Sequence, residues 1–214
     1  MYRLISSRNP ADKYYLASMH NLRFRIFKER LGWLKGESIS RMEFDEYDTD
    51  NAVYLVKIDP EDHEVCACTR LIQTTYPYLL ANSFPHFVEK ELPRSESCYE
   101  TSRFAADVDK KQPFNITGEL VAAMLEFGVA IGMRHYVSLS DIRIEKLLLR
   151  SGWDPTPLGP VGKTANEDSV AFIYTVNQEI LGNVRLKSKV ESDLIVNLKE
   201  FISSYYLDIQ RRAA

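Results

Sequence analysis

The sequence has few cysteines, little net charge and no long apolar run, and each shortage excludes a class of protein. Three cysteines in 214 residues are too few for a disulfide framework, and their spacing does not suit a zinc site. We therefore expect reduced thiols in a cytoplasmic protein that binds no metal. A formal net charge of -3 gives no reason to expect a nucleic-acid partner.

Segments that could enter a membrane are also scarce. Residues 1–5 lead straight into polar residues, so we expect no secretory signal. The uncharged stretch 71–88 contains Pro77 and Pro85, which argue against membrane insertion.

With 45% hydrophobic and 27% charged residues, the chain can bury a full core. We predict one domain over residues 1–214.

What the sequence does contain is a mixture of helical and strand patterns. Apolar residues at helical spacing predict a helix over residues 11–31, one capped by Thr117, one over 142–151 and a helical C-terminal region. Runs rich in β-branched and aromatic residues predict strands over 51–58, 65–72, 97–106, 135–140 and 169–176. This order indicates an α/β protein, a three-layer α/β/α sandwich with a mixed central sheet.

Residues 98–106 carry the most informative charges, because Glu100 and Arg103 interrupt a strand-like run. In a regular strand Glu100 and Ser102 face one side while Thr101 and Arg103 face the other, so each charge needs its own partners. Buried charges are found in pairs, and such clusters favour functional sites. The alternative is a solvated strand edge. Candidate partners lie upstream, at Arg23, Asp45, Asp48 and Arg70.

The segments around these partners have ordinary explanations too. Residues 34–50 lose periodicity and are acidic, which predicts a loop whose carboxylates are usually solvated. On the first predicted helix, Arg23 and Phe27 form an i, i+4 pair, and Trp33 follows the Gly32 that ends it. The alternatives are a solvated helix face for Arg23 and core packing for Phe27 and Trp33.

The order of these residues resembles that of the N-acyl-homoserine-lactone (autoinducer) synthases. The patterns Arg23-x-x-x-Phe27, Asp45-x-x-Asp48 and Glu100-x-x-Arg103 occur in sequence, with Trp33 and Arg70 between them. The run Ser102-Arg103-Phe104-Ala105 also fits, and the resemblance covers roughly residues 1 to 185. Several matched positions in order are more specific than any one of them.

The resemblance implies an acetyltransferase-like (GNAT-like) fold and a reaction between S-adenosylmethionine (SAM) and an acyl thioester. The SAM amine attacks the acyl carbonyl, and the amide then closes a lactone and expels methylthioadenosine (MTA). SAM is thus a substrate, and no cofactor is expected. Acetyltransferases that use coenzyme A carry a glycine-rich pyrophosphate loop, which none of the nine glycines forms. This favours acyl carrier protein as donor, although some relatives use coenzyme A.

The resemblance also assigns roles to residues. A carboxylate can remove the proton of the SAM amine, with Glu100 the first candidate and Asp45 or Asp48 holding the cation. Arg23 or Arg103 can pair with the substrate carboxylate. The catalytic group is Glu100, Arg103, Asp45 and Asp48. The substrate-binding group is Arg23, Phe27, Trp33, Arg70, Ser102 and Phe104.

Two further pairs complete the expected sites. Ser138 and Ser140 share a face of the strand 135–140 and can bond a 3-oxo or 3-hydroxy group of the acyl chain, or the backbone instead. Lys146 and Arg150 form a basic stripe that can dock acyl carrier protein, although such a stripe is usually solvated. An acyltransferase with another amine acceptor and a non-catalytic ligand-binding relative remain alternatives.

Overall fold

The computed structural model describes residues 1–33, 40–107, 110, 115–164, 167–191 and 193–213, with side chains to residue 205. Within these residues one eight-stranded sheet has the order β1 (Tyr2–Ile5), β2 (Ala52–Ile58), β3 (Val65–Gln73), β4 (Cys98–Ala106), β5 (His135–Asp141), β8 (Glu167–Thr175) and β6 (Thr156–Pro157), while β7 (Gly162–Thr164) also pairs with β8. The α-helices are α1 (Lys13–Arg23), α2 (Leu79–Ser83), α3 (Ile116–Ala130), α4 (Ile142–Ser151), α5 (Gln178–Ser188) and α6 (Leu198–Ala213).

The sheet is mixed because one strand pair is parallel. Strands β4 and β5 pair in parallel over three residue pairs, from Cys98 with His135 to Glu100 with Val137, whereas the other named pairs are antiparallel. Both strands continue beyond this short ladder, β4 to Ala106 and β5 to Asp141. Glu100 therefore lies where the pairing of the two central strands ends.

Helices cover both faces of the sheet, as predicted. On one face, Met19 and Leu22 of α1 and Leu80 of α2 join one buried cluster. On the other, α3, α4 and α5 contribute to a second cluster, against which Phe201 of α6 also packs. The three-layer α/β/α arrangement expected from the alternation of patterns is thus confirmed.

The predicted helix over residues 11–31 exists but changes its winding. Helix α1 passes at Phe24 into a π-helix that runs to Arg30, where the Leu31 N–H donates to the Ile26 carbonyl at 3.0 Å. Gly32 then adopts a φ of 64°, which suits a glycine after a helix end. Because π-helical turns are rare and often mark functional sites, this change draws attention to Arg23 and Phe27 beside it.

Several local predictions were wrong for identifiable reasons. Asn115, not Thr117, caps α3, since its side chain accepts from the Gly118 N–H at 3.0 Å. The predicted C-terminal helix is divided into α5 and α6, and Val190 and Leu194 lie between them. There the buried Glu126 carboxylate accepts backbone N–H groups of the 194–195 segment. Strands β1, β6 and β7 were missed because they are only four, two and three residues long, too short for a periodic pattern.

The chain between β3 and β4 crosses the sheet on the α1 side. Phe87, in a 3-10 turn, is buried there, and the Glu89 N–H donates to the Leu158 carbonyl at 3.0 Å. A Cβ at Gly159 would lie 2.3 Å from the Phe87 carbonyl oxygen, so only glycine permits this approach. The crossing holds α2 over Glu100, which places this segment beside the candidate site.

Candidate active site

Arg23 is a buried cation rather than a solvated one. Its side chain has no exposed surface, its Nε donates to Glu43 Oε2 at 2.5 Å, and its two terminal nitrogens donate to the Asp48 carboxylate at 2.7 and 2.8 Å. The bidentate fork suits a guanidinium and a carboxylate. The last turn of α1 thus places Arg23 against the acidic loop, and the solvated-face alternative was wrong.

Arg70 and Arg103 bind the same loop from the sheet. Arg70 on β3 donates to both oxygens of Asp45 at 2.5 and 3.0 Å, to Asp48 at 3.0 Å and to Ser102 Oγ at 3.1 Å. Arg103 on β4 reaches Glu43 at 3.1 Å and Asp45 at 2.7 Å. We call the six charged residues the charge cluster. They are Arg23, Glu43, Asp45, Asp48, Arg70 and Arg103.

The expected alternation along β4 was wrong at Arg103. Its φ of 56° and a register shift in the β3–β4 pairing turn its side chain to the face that carries Ser102 and Arg70. Glu100 and Arg103 therefore serve one site instead of two. Phe104, which was expected to bind substrate, packs instead against the core on the opposite face, so the structure does not bring it to the charge cluster.

The two neighbouring arginines keep the buried Asp48 charged. Burial by itself would raise the pKa of Asp48, but hydrogen bonds and charges from Arg23 and Arg70 outweigh it and hold that pKa well below its usual range. The stabilisation this gives is present at neutral pH and is lost as the pH falls. Burial and the Asp48 charge raise the pKa of Tyr54, whose hydroxyl donates to Asp48 at 2.9 Å.

Glu100 lies outside the cluster's ion pairs and has a different environment. It is buried, and its two oxygens accept the Leu79 N–H at 3.1 Å and the Leu80 N–H at 2.7 Å, at the start of α2. Burial raises its pKa to about 7, while the two backbone N–H groups and Arg70 act in the opposite direction. A carboxyl group with such a pKa can accept a proton near neutral pH.

The cluster opens to solvent at one place. The Arg103 and Asp45 side chains are each 17% exposed, whereas those of Arg23, Arg70, Glu43 and Asp48 are at most 3% exposed. Beside this opening the Phe27 ring stacks on Trp33 with centroids 5.4 Å apart. The Arg103 guanidinium lies 5.7 Å from the Phe27 ring centroid. The site therefore offers one cation, one carboxylate and an aromatic wall.

The sequence analysis missed two members of this site. Glu43 was seen only as part of the acidic loop, yet its carboxylate joins Arg23 to Arg103. Tyr54 was seen only as a strand residue, although the pairing register places it opposite Arg70. Neither has a sequence signal of its own, because a buried carboxylate and a solvated one look alike in an acidic segment. Residues 34–39 of that predicted loop lie outside the described residues.

The two serines lie on the other face of the sheet. Ser138 Oγ is 2.8 Å from Ser140 Oγ and 2.8 Å from the Tyr174 hydroxyl. Ser138 shares its strand face with Tyr136, which belongs to the core under α3. The structure thus joins the serines to each other but not to the charge cluster. Among the described residues, both serine hydroxyls bond side chains and not the backbone.

The structure also bears on the predicted docking residues, on metal binding and on membrane-spanning helices. Lys146 and Arg150 are both exposed on α4. Among the described residues, histidine, cysteine and carboxylate side chains form no group of three that could hold a metal ion. No helix in the described part of the chain combines the length and apolar character needed to cross a bilayer.

Known proteins are similar to this chain in sequence and in fold. The family described as autoinducer synthase matches residues 8–184. An acyl-homoserine-lactone synthase of Pseudomonas aeruginosa is 34% identical over 178 residues, which cover 81% of this chain and 88% of that protein. The crystal structure of TofI in a ternary complex with an inhibitor and MTA is similar with a TM-score of 0.75 at 30% identity, over 86% of this chain and 96% of that one.

A second solved structure bears on the fold alone. The structure of BjaI, a CoA-dependent acyl-homoserine lactone synthase with SAM and isopentyl-CoA, has a TM-score of 0.83 at 24% identity. The match covers 91% of this chain and 92% of that one. Together with the layers described above, these similarities confirm the predicted acetyltransferase-like fold.

Proposed function

From the premise that the chain belongs to the autoinducer synthase family and is an acyl-homoserine-lactone synthase, we propose that it acylates the amine of SAM and releases MTA as the lactone closes. The acyl donor in this proposal is acyl carrier protein. The observation that carries the SAM assignment is the opening of the charge cluster, where Arg103 and Asp45 offer opposite charges. The amino-acid end of SAM presents the matching carboxylate and ammonium groups.

The same geometry separates the roles of the arginines. Arg23 and Arg70 are fully buried, and their donors are directed at carboxylates of the chain. We assign them to holding the acidic loop on the sheet. Arg103 is the exposed cation and pairs with the substrate carboxylate, while Asp45 and Asp48 attract the ammonium and sulfonium charges. Phe27 and Trp33 pack on the bound SAM.

Glu100 is the proposed general base. Its raised pKa of about 7 lets it accept the proton of the SAM amine, directly or through a water molecule. Asp48 is less suited to this task, because Arg23 and Arg70 outweigh its burial and keep it charged with a low pKa. A weak base of low pKa takes little part in proton transfer near neutral pH.

The carrier-protein assignment rests on the chain's own residues. No glycine-rich pyrophosphate loop occurs among the nine glycines, and Lys146 and Arg150 are exposed on α4. Coenzyme A is the competing donor, since BjaI is a CoA-dependent relative. We further propose that residues 1–214 act as one synthase domain, and that it works in the cytoplasm, where its three free cysteines stay reduced.

The test is a product analysis with purified protein. We expect mass spectrometry to detect N-acyl-homoserine lactone and MTA in equal amounts after incubation with SAM and a panel of acyl carrier protein and coenzyme A thioesters. The best thioester identifies the acyl chain and the carrier. Acyl transfer without MTA would instead support another amine acceptor. SAM binding without consumption of any thioester would support a ligand-binding relative.

Replacing Ser138 by alanine tests the acyl assignment. If Ser138 bonds an oxygen on the third acyl carbon, Ser138→Ala should lower kcat/KM about 5- to 30-fold for 3-oxo or 3-hydroxy thioesters, because a buried acyl oxygen is then left without its hydrogen bond. Unsubstituted thioesters should change less than threefold. Steady-state kinetics with matched chain lengths measure the difference. An equal loss for both thioester classes would show that the hydroxyl only supports Ser140 and Tyr174.

Reversing the charges of Lys146 and Arg150 tests the docking surface. Because electrostatic docking depends on opposite charges, the double variant Lys146→Glu/Arg150→Glu should raise KM for an acyl carrier protein thioester by about tenfold or more at low salt. The matched control reverses two exposed lysines on other elements, Lys13→Glu/Lys199→Glu. Added salt should raise the KM of the wild type toward that of the charge-reversed variant. Equal KM values for variant and control would remove α4 from the docking surface.

A further inference from the structure

His20 joins α1 to the acidic loop through the backbone of Glu43. The Glu43 N–H donates to the His20 carbonyl at 3.1 Å, and His20 Nδ1 lies 2.8 Å from the Glu43 carbonyl oxygen. A carbonyl oxygen only accepts, so Nδ1 carries the hydrogen in this contact. One residue of the helix thus both accepts from and donates to the main chain of one loop residue.

The His20 ring is enclosed on several sides. It is buried, the Phe44 ring lies against it with centroids 3.8 Å apart, and the Tyr54 ring meets it edge-on at 6.1 Å. Burial, and then the charge of Arg23, lower its pKa to about 4. The ring is therefore neutral near pH 7, and its contribution there is a directed hydrogen bond, not a charge.

The position of Glu43 matters because its carboxylate serves two arginines. Oε2 accepts from Arg23 at 2.5 Å, and Oε1 accepts from Arg103 at 3.1 Å. Arg23 is also held by Asp48, but Arg103 has only Glu43 and Asp45 as partners in the ion pairs found among the described residues. A shift of Glu43 by about 1 Å, enough to cost up to ~100-fold in a positioned reaction, would therefore act mainly on Arg103.

We propose that His20 is a positioning residue for SAM: its ring hydrogen bond sets Glu43, and Glu43 sets the Arg103 guanidinium that receives the substrate carboxylate. The proposal rests on the proposed function, because it takes SAM as the ligand of Arg103. It adds a residue outside the charge cluster that determines the affinity of the cluster for its substrate. The effect belongs to SAM binding and not to the acyl donor.

Two variants separate the hydrogen bond from the packing. His20→Phe keeps an aromatic ring against Phe44 but has no donor for the Glu43 carbonyl. We expect it to raise KM for SAM about tenfold or more, the factor that one misplaced contact costs, and to leave KM for the thioester within twofold. His20→Asn places an amide N–H near the position of Nδ1 and should restore KM for SAM to within about threefold of wild type.

The neighbouring Asn21 provides the control. Its side-chain amide also ties α1 to this loop, donating to the Arg41 carbonyl at 3.2 Å, but on the exposed side and away from the cluster. Asn21→Ala removes a tether of the same kind and should leave KM for SAM unchanged. Thermal unfolding of all three variants shows whether each is folded at the assay temperature.

Several outcomes would overturn the proposal. Equal KM values for SAM in His20→Phe and wild type, with a lower Tm, would make His20 a structural residue only. Equal impairment of His20→Phe and His20→Asn would show that the ring, and not the donor, is needed. Calorimetric titration with SAM keeps the two claims apart. Wild-type binding without turnover would refute the proposed function alone, and weaker binding by His20→Phe would still support the positioning role.

Discussion

Glu100→Gln should lower kcat by about 10²- to 10⁴-fold, the range expected when a general base is removed. The amide cannot accept the proton that the SAM amine loses as it attacks the acyl carbonyl. KM for SAM should change by less than about threefold, because Glu100 lies outside the ion pairs of the charge cluster. Steady-state kinetics of the folded variant, with product detection by mass spectrometry, measure both values.

The pH dependence gives a second signature of the same role. Since burial raises the pKa of Glu100 to about 7, kcat/KM of the wild type should rise with pH as that group ionises. The SAM amine ionises near the usual α-amino value of about 8 and adds a second rise. The Glu100→Gln variant should lose the rise in kcat/KM near pH 7 and keep the rise at about pH 8.

The contribution of Glu100 to folding stability should fall as the pH rises, whereas kcat/KM should increase. The folded pKa of Glu100, about 7, exceeds the ordinary value of 4.5, so the folded state binds the proton more tightly than the unfolded state. Its contribution therefore favours folding below pH 4.5 and is lost as the pH rises through about 7. The unfolding free energy of Glu100→Gln should depend less on pH over this interval, which denaturant titrations at several pH values would measure.

The control for Glu100 is a nearby exposed carboxylate. Glu96→Gln removes a carboxylate just before β4 and should keep wild-type kcat and pH dependence. Asp45→Asn provides the comparison within the cluster and should raise KM for SAM, because it removes the exposed negative charge. Wild-type turnover in both Glu100→Gln and Asp45→Asn would refute the assignment of these carboxylates.

Arg70→Met should lower the unfolding free energy by about 3–5 kcal/mol, the usual cost of removing one partner of a buried ion pair. Asp45 loses both of its bonds to Arg70 and Asp48 loses one, while Ser102 loses its bond to Nε. The acidic loop is then held to β3 less firmly. Activity should fall by at least about tenfold, because Asp45 belongs to the opening of the cluster.

Arg70→Lys separates the charge from the planar fork. The lysine keeps one positive charge but cannot make the paired contacts to Asp45, so we expect a loss of about 1–3 kcal/mol. Arg134→Met changes an exposed arginine before β5 and should alter stability by less than about 0.5 kcal/mol. Denaturant unfolding gives all three values. Equal stability of Arg70→Met and the Arg134 control would mean that the cluster does not hold the loop.

Particular residues show how much of the site is predictable from sequence. Asp45, Asp48, Arg70, Glu100 and Arg103 were expected to share one region, and all but Glu100 do so as direct ion-pair partners. Glu100 lies apart because its oxygens are occupied by backbone N–H groups of α2. The order of residue types along the chain predicted which residues share one region. It could not predict which hydrogen bonds the buried Glu100 oxygens accept.

The sequence by itself determined the class of fold, the main strands and helices and the family, because these depend on periodicity and on residue types in a fixed order. Tertiary structure alone decided which charges are buried, since burial depends on what packs above a side chain. It turned Arg103 onto the Arg70 face through a left-handed backbone. It also placed the Glu43 carboxylate between Arg23 and Arg103, which come from distant elements. Arg103 and Asp45 remain partly exposed at the opening of the charge cluster.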